Sequence, residues 1–356
     1  METFKGLGYP QVEDPINGAG IGPFVTPGSV DPVTHTRSHS GVAYLGQGIQ
    51  ARSNLRVVTG ALVERLVLDQ RSEGVVATAQ KDVILAAGTT QTPQILELSG
   101  IGRSSVLQAH GITPIIDHAG VGENLQDHGI VPLGYEVADG FPSGDMARDP
   151  EVAAAAMAAY QKDGSGPLGM VPLISAFMPC VDLGQPALEE ILQKIEVPIE
   201  TPDTSITHTK QFEVLRGLIQ DPEEPTAQYM LAPFQILGRA ADDPKSIFSL
   251  SHPGIFISMV TVLSYPLSRG YVHLQSANSQ DAPVIDHGML RHPVGLELHA
   301  RHSMWLEKIA EAEPMASLLK KGGERLHATE PLTDLEKAKE ICKELVLCIT
   351  SVGPVL

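Results

Sequence analysis

Apolar and polar positions show almost no period over the first 40 residues. "INGAGIGPFVTPGSVDPVTHTRSHS" (16–40) is punctuated by Gly and Pro, which predicts an extended, turn-rich arm over 1–40. Short β-branched runs begin at "LRVV" (55–58) and continue with "VERLVL" (63–68) and "VVATA" (75–79). Thr59-Gly60 and "DQRSEG" separate them, as in an antiparallel meander. "DVILAA" (82–87) is apolar almost without interruption, the pattern of a strand covered on both faces, as in a parallel sheet. A helix is predicted from Thr92 to about Leu98, with Pro93 at its first position and the Thr92 hydroxyl as its cap.

Further along, "RSSVLQAHGI" (103–112) predicts a helix ended by Gly111. Asp149-Pro150-Glu151 opens an Ala-rich helix to about Lys162. Stretches at 170–178, 228–237 and 255–264 read as strands separated by acidic, Pro-containing loops, and "GYVHLQ" (270–275) alternates cleanly. Leu298, Trp305 and Ile309 fall at helical spacing. Thr333 with Glu336 forms a capping box before a helix whose apolar face is Leu335, Ala338, Cys342 and Leu345. The pattern therefore predicts a small α/β portion followed by a larger α+β portion rich in antiparallel strand.

Composition narrows the function. The 356 residues are 42% hydrophobic and 19% charged, which are globular values. A net charge of −17 without a basic face argues against a nucleic-acid partner. No apolar run has the length of a transmembrane span. Cys180, Cys342 and Cys348 show no CxxC spacing and read as buried thiols. His299 and His302 lie one turn apart, but His302 falls on the face of Leu298 and Trp305; a packed histidine is the expectation, and no metal site is predicted.

Two glycine patterns fail as nucleotide loops. "GSGPLG" (164–169) follows a helix and precedes a strand, the reverse of the order that aims amides at a pyrophosphate, and "GAGIGP" (18–23) follows no strand. No nucleophile elbow G-x-S-x-G is present. "LAAGTTQTPQILELSGIG" (85–102) remains the strongest signal. It reads either as an ordinary buried strand with a capped helix behind it, or as a bend whose helix-start amides face a cofactor.

With its surroundings, this stretch resembles the glucose-methanol-choline (GMC) family of FAD-dependent oxidoreductases. The family's second motif is matched by Gly88, Thr89, Thr92, Pro93, Ile95, Leu96, Ser99, Gly100, Ile101 and Gly102. "NLRVVTGALVERLVLD" (54–69) and "HGITPIIDHAGVGENLQDH" (110–128) are similar to the segments flanking that motif, and "YPLSRGYVHLQSANSQDAPVIDHGML" (265–290) to a strand motif of the substrate-binding domain. The likeness runs in order over about residues 41–310.

The resemblance implies a partial FAD-binding domain over 41–133, with a parallel-sheet remnant and β-meander, and a substrate-binding domain over 134–356, with an antiparallel sheet flanked by helices. It implies FAD as cofactor and a small-molecule alcohol as substrate, its CH–OH carbon giving a hydride to the flavin. It places Val63, by its backbone, at the adenine, and Gly88, Thr89 and Thr92 at the bend beside the cofactor. Family members also carry an N-terminal strand-GxGxxG-helix unit and a C-terminal catalytic histidine, and neither is found in this sequence. The expectation is a truncated chain, inactive by itself, with a non-catalytic short paralogue that binds a ligand or partner as the alternative. No catalytic residue is assigned, and compartment and oligomeric state are left open.

Overall fold

The computed structural model describes residues 1–18, 20–68, 77–169, 173–180, 183–195, 206–237 and 244–352. They form two compact units assembled from separated pieces of chain. The first comprises Met1–Val57, Gly129–Leu267 and His292–Leu347; the second comprises Val58–His128, Ser268–Arg291 and Cys348–Leu356.

An antiparallel sheet organises the first unit. Its strand Phe256–Leu263 is buried at every residue, because it has neighbours on both sides: residues 130–136 on one and Ala227–Ala232 on the other. Ile174–Met178 pairs with Ala227–Ala232, and Gly22–Val25 closes the edge, with Pro23 opposite Ala176. A proline suits an edge, where its missing N–H costs little. The strand predicted at 255–264 is thus present, as is the first half of the one predicted at 228–237, which ends at Ala232, and a strand over 174–178 within 170–178.

The helix Pro293–Glu311 packs its face of Leu298, Trp305, Leu306 and Ile309 into the core, as the spacing predicted. His292 caps it: Val294 N–H donates to Nδ1 at 3.2 Å, and Pro293 occupies the first position. Phe4 and Tyr9 reach the Trp305 ring at centroid distances of 6.0 and 5.7 Å. Residues 1–40, expected to be an arm, therefore supply a helix, Glu2–Gly6, and a sheet strand. Each element is too short to show a period in sequence.

Other helices follow local chemistry. Asp149 accepts the Glu151 N–H at 2.9 Å to open Pro150–Asp163, and Gly164, at φ +70°, ends it. Leu335–Leu345 buries Ala338, Cys342 and Leu345 as expected, but its cap is Asp334, which accepts the Lys337 N–H at 2.9 Å, rather than Thr333. The interval read as acidic loops holds two helices, Gln185–Ile195 and Ile206–Gln220. Ile191, Leu192 and Ile195 of the former bury against Leu263, Leu267, Val294 and Leu298.

The second unit contains the helix Gly88–Leu98 and a short parallel pair, Ile101–Gly102 with Ile116–Asp117, bracketing the helix Ser104–Ala109. Gly270–His273 pairs antiparallel with Val284–Asp286, and also with Glu123 and Leu125. The runs 55–58, 63–68 and 82–87 are not strands here; they lack regular structure and are mostly exposed, Ile84 at 87%. Of the run 75–79, only 77–79 is described, also without strand. A strand needs a neighbour for its N–H and C=O groups, and none pairs with these runs among the described residues. The mixed class predicted from sequence stands, while the meander and the buried parallel strand are not seen among the described residues. Among the described residues no helix is long and apolar enough to cross a membrane.

Candidate functional site

Gly88 begins its helix at φ +86°, a backbone state that side-chain-bearing residues rarely adopt. A methyl group there would meet no atom within 4 Å, so the glycine answers to backbone geometry and the space beside it is open. The helix thus starts four residues before the predicted position. Thr92, expected as its cap, lies in the second turn, where its hydroxyl accepts the Ala87 N–H at 3.2 Å. Pro93 falls inside the helix and gives no N–H to the carbonyl one turn back. Gly88 is exposed, and Thr89 and Thr92 are half-buried.

The other side of the helix is fixed. Pro93, Gln94, Ile95 and Glu97 are buried, and Gln94 Nε2 donates to the Asp281 carbonyl at 2.8 Å. Ser99 Oγ donates to the Ile95 carbonyl and accepts the Leu66 N–H at 2.8 Å, which ties residues 63–68 to the end of the helix. Val63 lies three residues upstream of that bond, 57% exposed and without regular structure. The chain therefore brings Gly88 and Thr89 onto the helix start with Thr92 one turn on, and anchors the Val63 segment at the opposite end of the same helix.

Sequence reading missed the charged cluster beneath. Glu97 is completely buried; one carboxylate oxygen lies 2.7 Å from His273 Nδ1, and the other accepts the Leu274 N–H at 2.9 Å. His273 Nε2 lies 3.2 Å from Glu123, whose carboxylate also accepts from Arg103 at 3.0 Å. The Tyr271 ring stacks on His273 at 5.3 Å. Burial alone would lower the His273 pKa, but the bonds to Glu123 and Glu97 and their charges raise it to about 9. Burial works against the Glu123 carboxylate, yet His273 and Arg103 hold its pKa below the usual value. The one signal for this cluster was a glutamate on the apolar side of "ILELSG".

His299 and His302 serve packing, as expected. His302 Nε2 lies 2.9 Å from the Thr226 hydroxyl and Nδ1 2.8 Å from the Tyr229 hydroxyl, while His299 Nε2 lies 3.2 Å from the Thr261 carbonyl. No group of three metal-ligating side chains converges among the described residues.

The GMC oxidoreductase family model matches residues 2–130, so the likeness begins within the segment expected to be an arm. Over those residues the match is to the same GMC oxidoreductase family that the motif around Gly88 resembles. A dehydrogenase of Monascus purpureus is 28% identical over 94% of this chain and 58% of its own length. An alcohol oxidase of Pichia angusta is 28% identical over 71% of the chain and 37% of its own length. An FAD-dependent oxidoreductase from Chaetomium thermophilum superposes with a TM-score of 0.80 at 23% identity, over 98% of the chain and 60% of that protein. The chain spans about half the length of the curated relatives it matches (58% and 37% for these two).

GMC oxidoreductases use FAD. The residues here fit one side of such a group. A glycine in left-handed conformation with open space beside it permits close approach, and the first amides of the helix carry partial positive charge. The exposed apolar residues at 58–68 and 82–86 give an uncovered flank in the same unit. No strand-GxGxxG-helix unit to hold the pyrophosphate occurs in the sequence, so the fit concerns part of the cofactor.

Proposed function

We propose that this chain is a working part of an FAD-dependent GMC oxidoreductase that acts on the CH–OH group of a small-molecule alcohol. The alcohol oxidase among its relatives supports the donor class. FAD, when bound, supplies the acceptor for the hydride leaving the alcohol carbon. Gly88, Thr89 and Thr92 would hold the cofactor at the helix start, with Val63 contributing through its backbone. The observation that carries the reading is the open, left-handed Gly88 at the start of a well-anchored helix.

The test is to purify the chain, titrate it with FAD, and follow flavin fluorescence and the visible flavin spectrum. Binding is expected for the wild-type chain, with Gly88→Val weakening it about tenfold or more. The backbone strain of that substitution itself costs about 1–2 kcal/mol of stability. Absence of bound FAD, or equal binding by Gly88→Val, would overturn the cofactor assignment.

One observation favours a second reading, a chain that binds ligand without turnover: the apolar residues at 55–68 and 82–86 remain uncovered. Stoichiometric FAD with reduction by an alcohol would reject it.

A further inference from the structure

Four separate segments of the second unit meet at one imidazole. His273 on the strand Gly270–His273 contacts Glu97, near the end of the helix Gly88–Leu98, and Glu123, at the start of another strand. Arg103, just before the helix Ser104–Ala109, closes the ring of charges through Glu123. Glycines let these segments come together. A methyl on Gly122 would lie 2.2 Å from the Val272 carbonyl and 2.8 Å from His273 Nδ1, and one on Gly102 would lie 3.1 Å from the Glu97 side chain. Such approach has a consequence: the Glu97 carboxylate, fully buried, depends on the strand for both its partners, the imidazole and the Leu274 amide.

We infer that His273 is a positioning residue: as an imidazolium held between Glu97 and Glu123, it fixes the helix Gly88–Leu98 in the orientation that presents Gly88 and Thr89 to the cofactor. The inference rests on the FAD reading for what the helix presents, but the clamp itself rests on this geometry alone. Charge decides the form of the clamp. Two carboxylates facing one neutral ring would leave one of them opposite a nitrogen lone pair, since a neutral imidazole has a single N–H. With the ring charged, both nitrogens donate, and Arg103 offsets the second negative charge. Tyr271, a further ionisable group, stacks on the ring.

The role has a signature that simple packing lacks. The histidine clamp should hold below the ring's pKa and slacken above it, because loss of the proton removes one donor and the attraction to both carboxylates. An arginine at 273 stays charged throughout and offers a fork of donors to two carboxylates.

Amide hydrogen exchange of the whole chain tests this without cofactor. Protection factors in the helix Gly88–Leu98 are compared at pH 7 and pH 9.5, with the helix Pro293–Glu311 as internal reference. In the wild type, protection of Gly88–Leu98 should fall about tenfold or more at pH 9.5 relative to the reference. His273→Gln should show the low value at both pH values, and His273→Arg the high value at both. Equal protection of the wild type at the two pH values, or wild-type protection in His273→Gln, would overturn the clamp. FAD titration of the same three proteins should follow the same order, weakening wherever protection is lost. Full-strength FAD binding in an unclamped variant would overturn the link to the cofactor. No FAD binding by the wild type at pH 7 would reject the cofactor reading and that link together, while the exchange result still decides the clamp.

Discussion

Two buried histidines should together make the chain roughly 4–5 kcal/mol easier to unfold with urea at pH 4.5 than at pH 7. Burial of the His299 ring lowers its pKa from 6.5 to about 4, only partly countered by its bond to the Thr261 carbonyl. Burial, with a smaller contribution from His299, lowers that of His302 to about 3. Both rings are therefore neutral in the fold, while the unfolded chain takes up protons below 6.5. Their contribution is complete above 6.5 and falls away as the pH drops toward the folded values. Fluorescence of Trp305, the chain's single tryptophan, reports the unit that contains them. Replacing both histidines by glutamine should flatten the slope between pH 7 and pH 4.5, even though the double variant is less stable at pH 7. An unchanged slope would refute this account.

Asp145→Ala should destabilise the same unit by about 4 kcal/mol. Its buried carboxylate accepts the Gln235 N–H at 2.9 Å through one oxygen and the Phe256 N–H at 2.8 Å through the other. Ser143 completes the arrangement, its hydroxyl donating to the Phe256 carbonyl at 2.6 Å and accepting the Asp145 N–H at 3.1 Å. Removing the carboxylate strands two buried amides, that of Phe256 at the entry to the central strand and that of Gln235 after the neighbouring strand, each costing about 1–3 kcal/mol. Asp145→Asn keeps one acceptor and should lose about half as much. The measurement is a urea midpoint at pH 7, and a loss below about 1 kcal/mol for alanine would refute the argument.

Where burial and local capping agreed, the sequence was readable. The strand Phe256–Leu263 is mostly apolar and buried along its length because it has a neighbour on each side, and the helices Pro150–Asp163 and Pro293–Glu311 carry their start signals in adjacent residues. Legibility failed where a partner was assumed. "DVILAA" has the composition of a doubly covered strand, but composition supplies no neighbour, and in this chain the run stays open to solvent. The helix Gln185–Ile195 was hidden for a different reason: acidic residues and prolines nearby drew attention away from Leu188, Ile191, Leu192 and Ile195 on one face. At the candidate site, the motif found the helix and Gly88 but not what holds them. Glu97 and His273 are 176 residues apart, and nothing local in either segment marks the pairing.

The second unit draws on chain from both sides of a long excursion, since residues 129–267 separate its two main pieces. At about 5–20 residues per second of synthesis, the earlier piece leaves the ribosome on the order of ten seconds before the later one exists. During that interval Glu97 has no imidazole to meet, and the valines and leucines of 55–68 stand bare beside it in a nascent polypeptide. A chaperone that masks such sticky segments in transit would raise the yield of native protein more than any gain in final stability. Circularly permuting the gene so that 268–291 is translated next to 58–128 would make that help unnecessary.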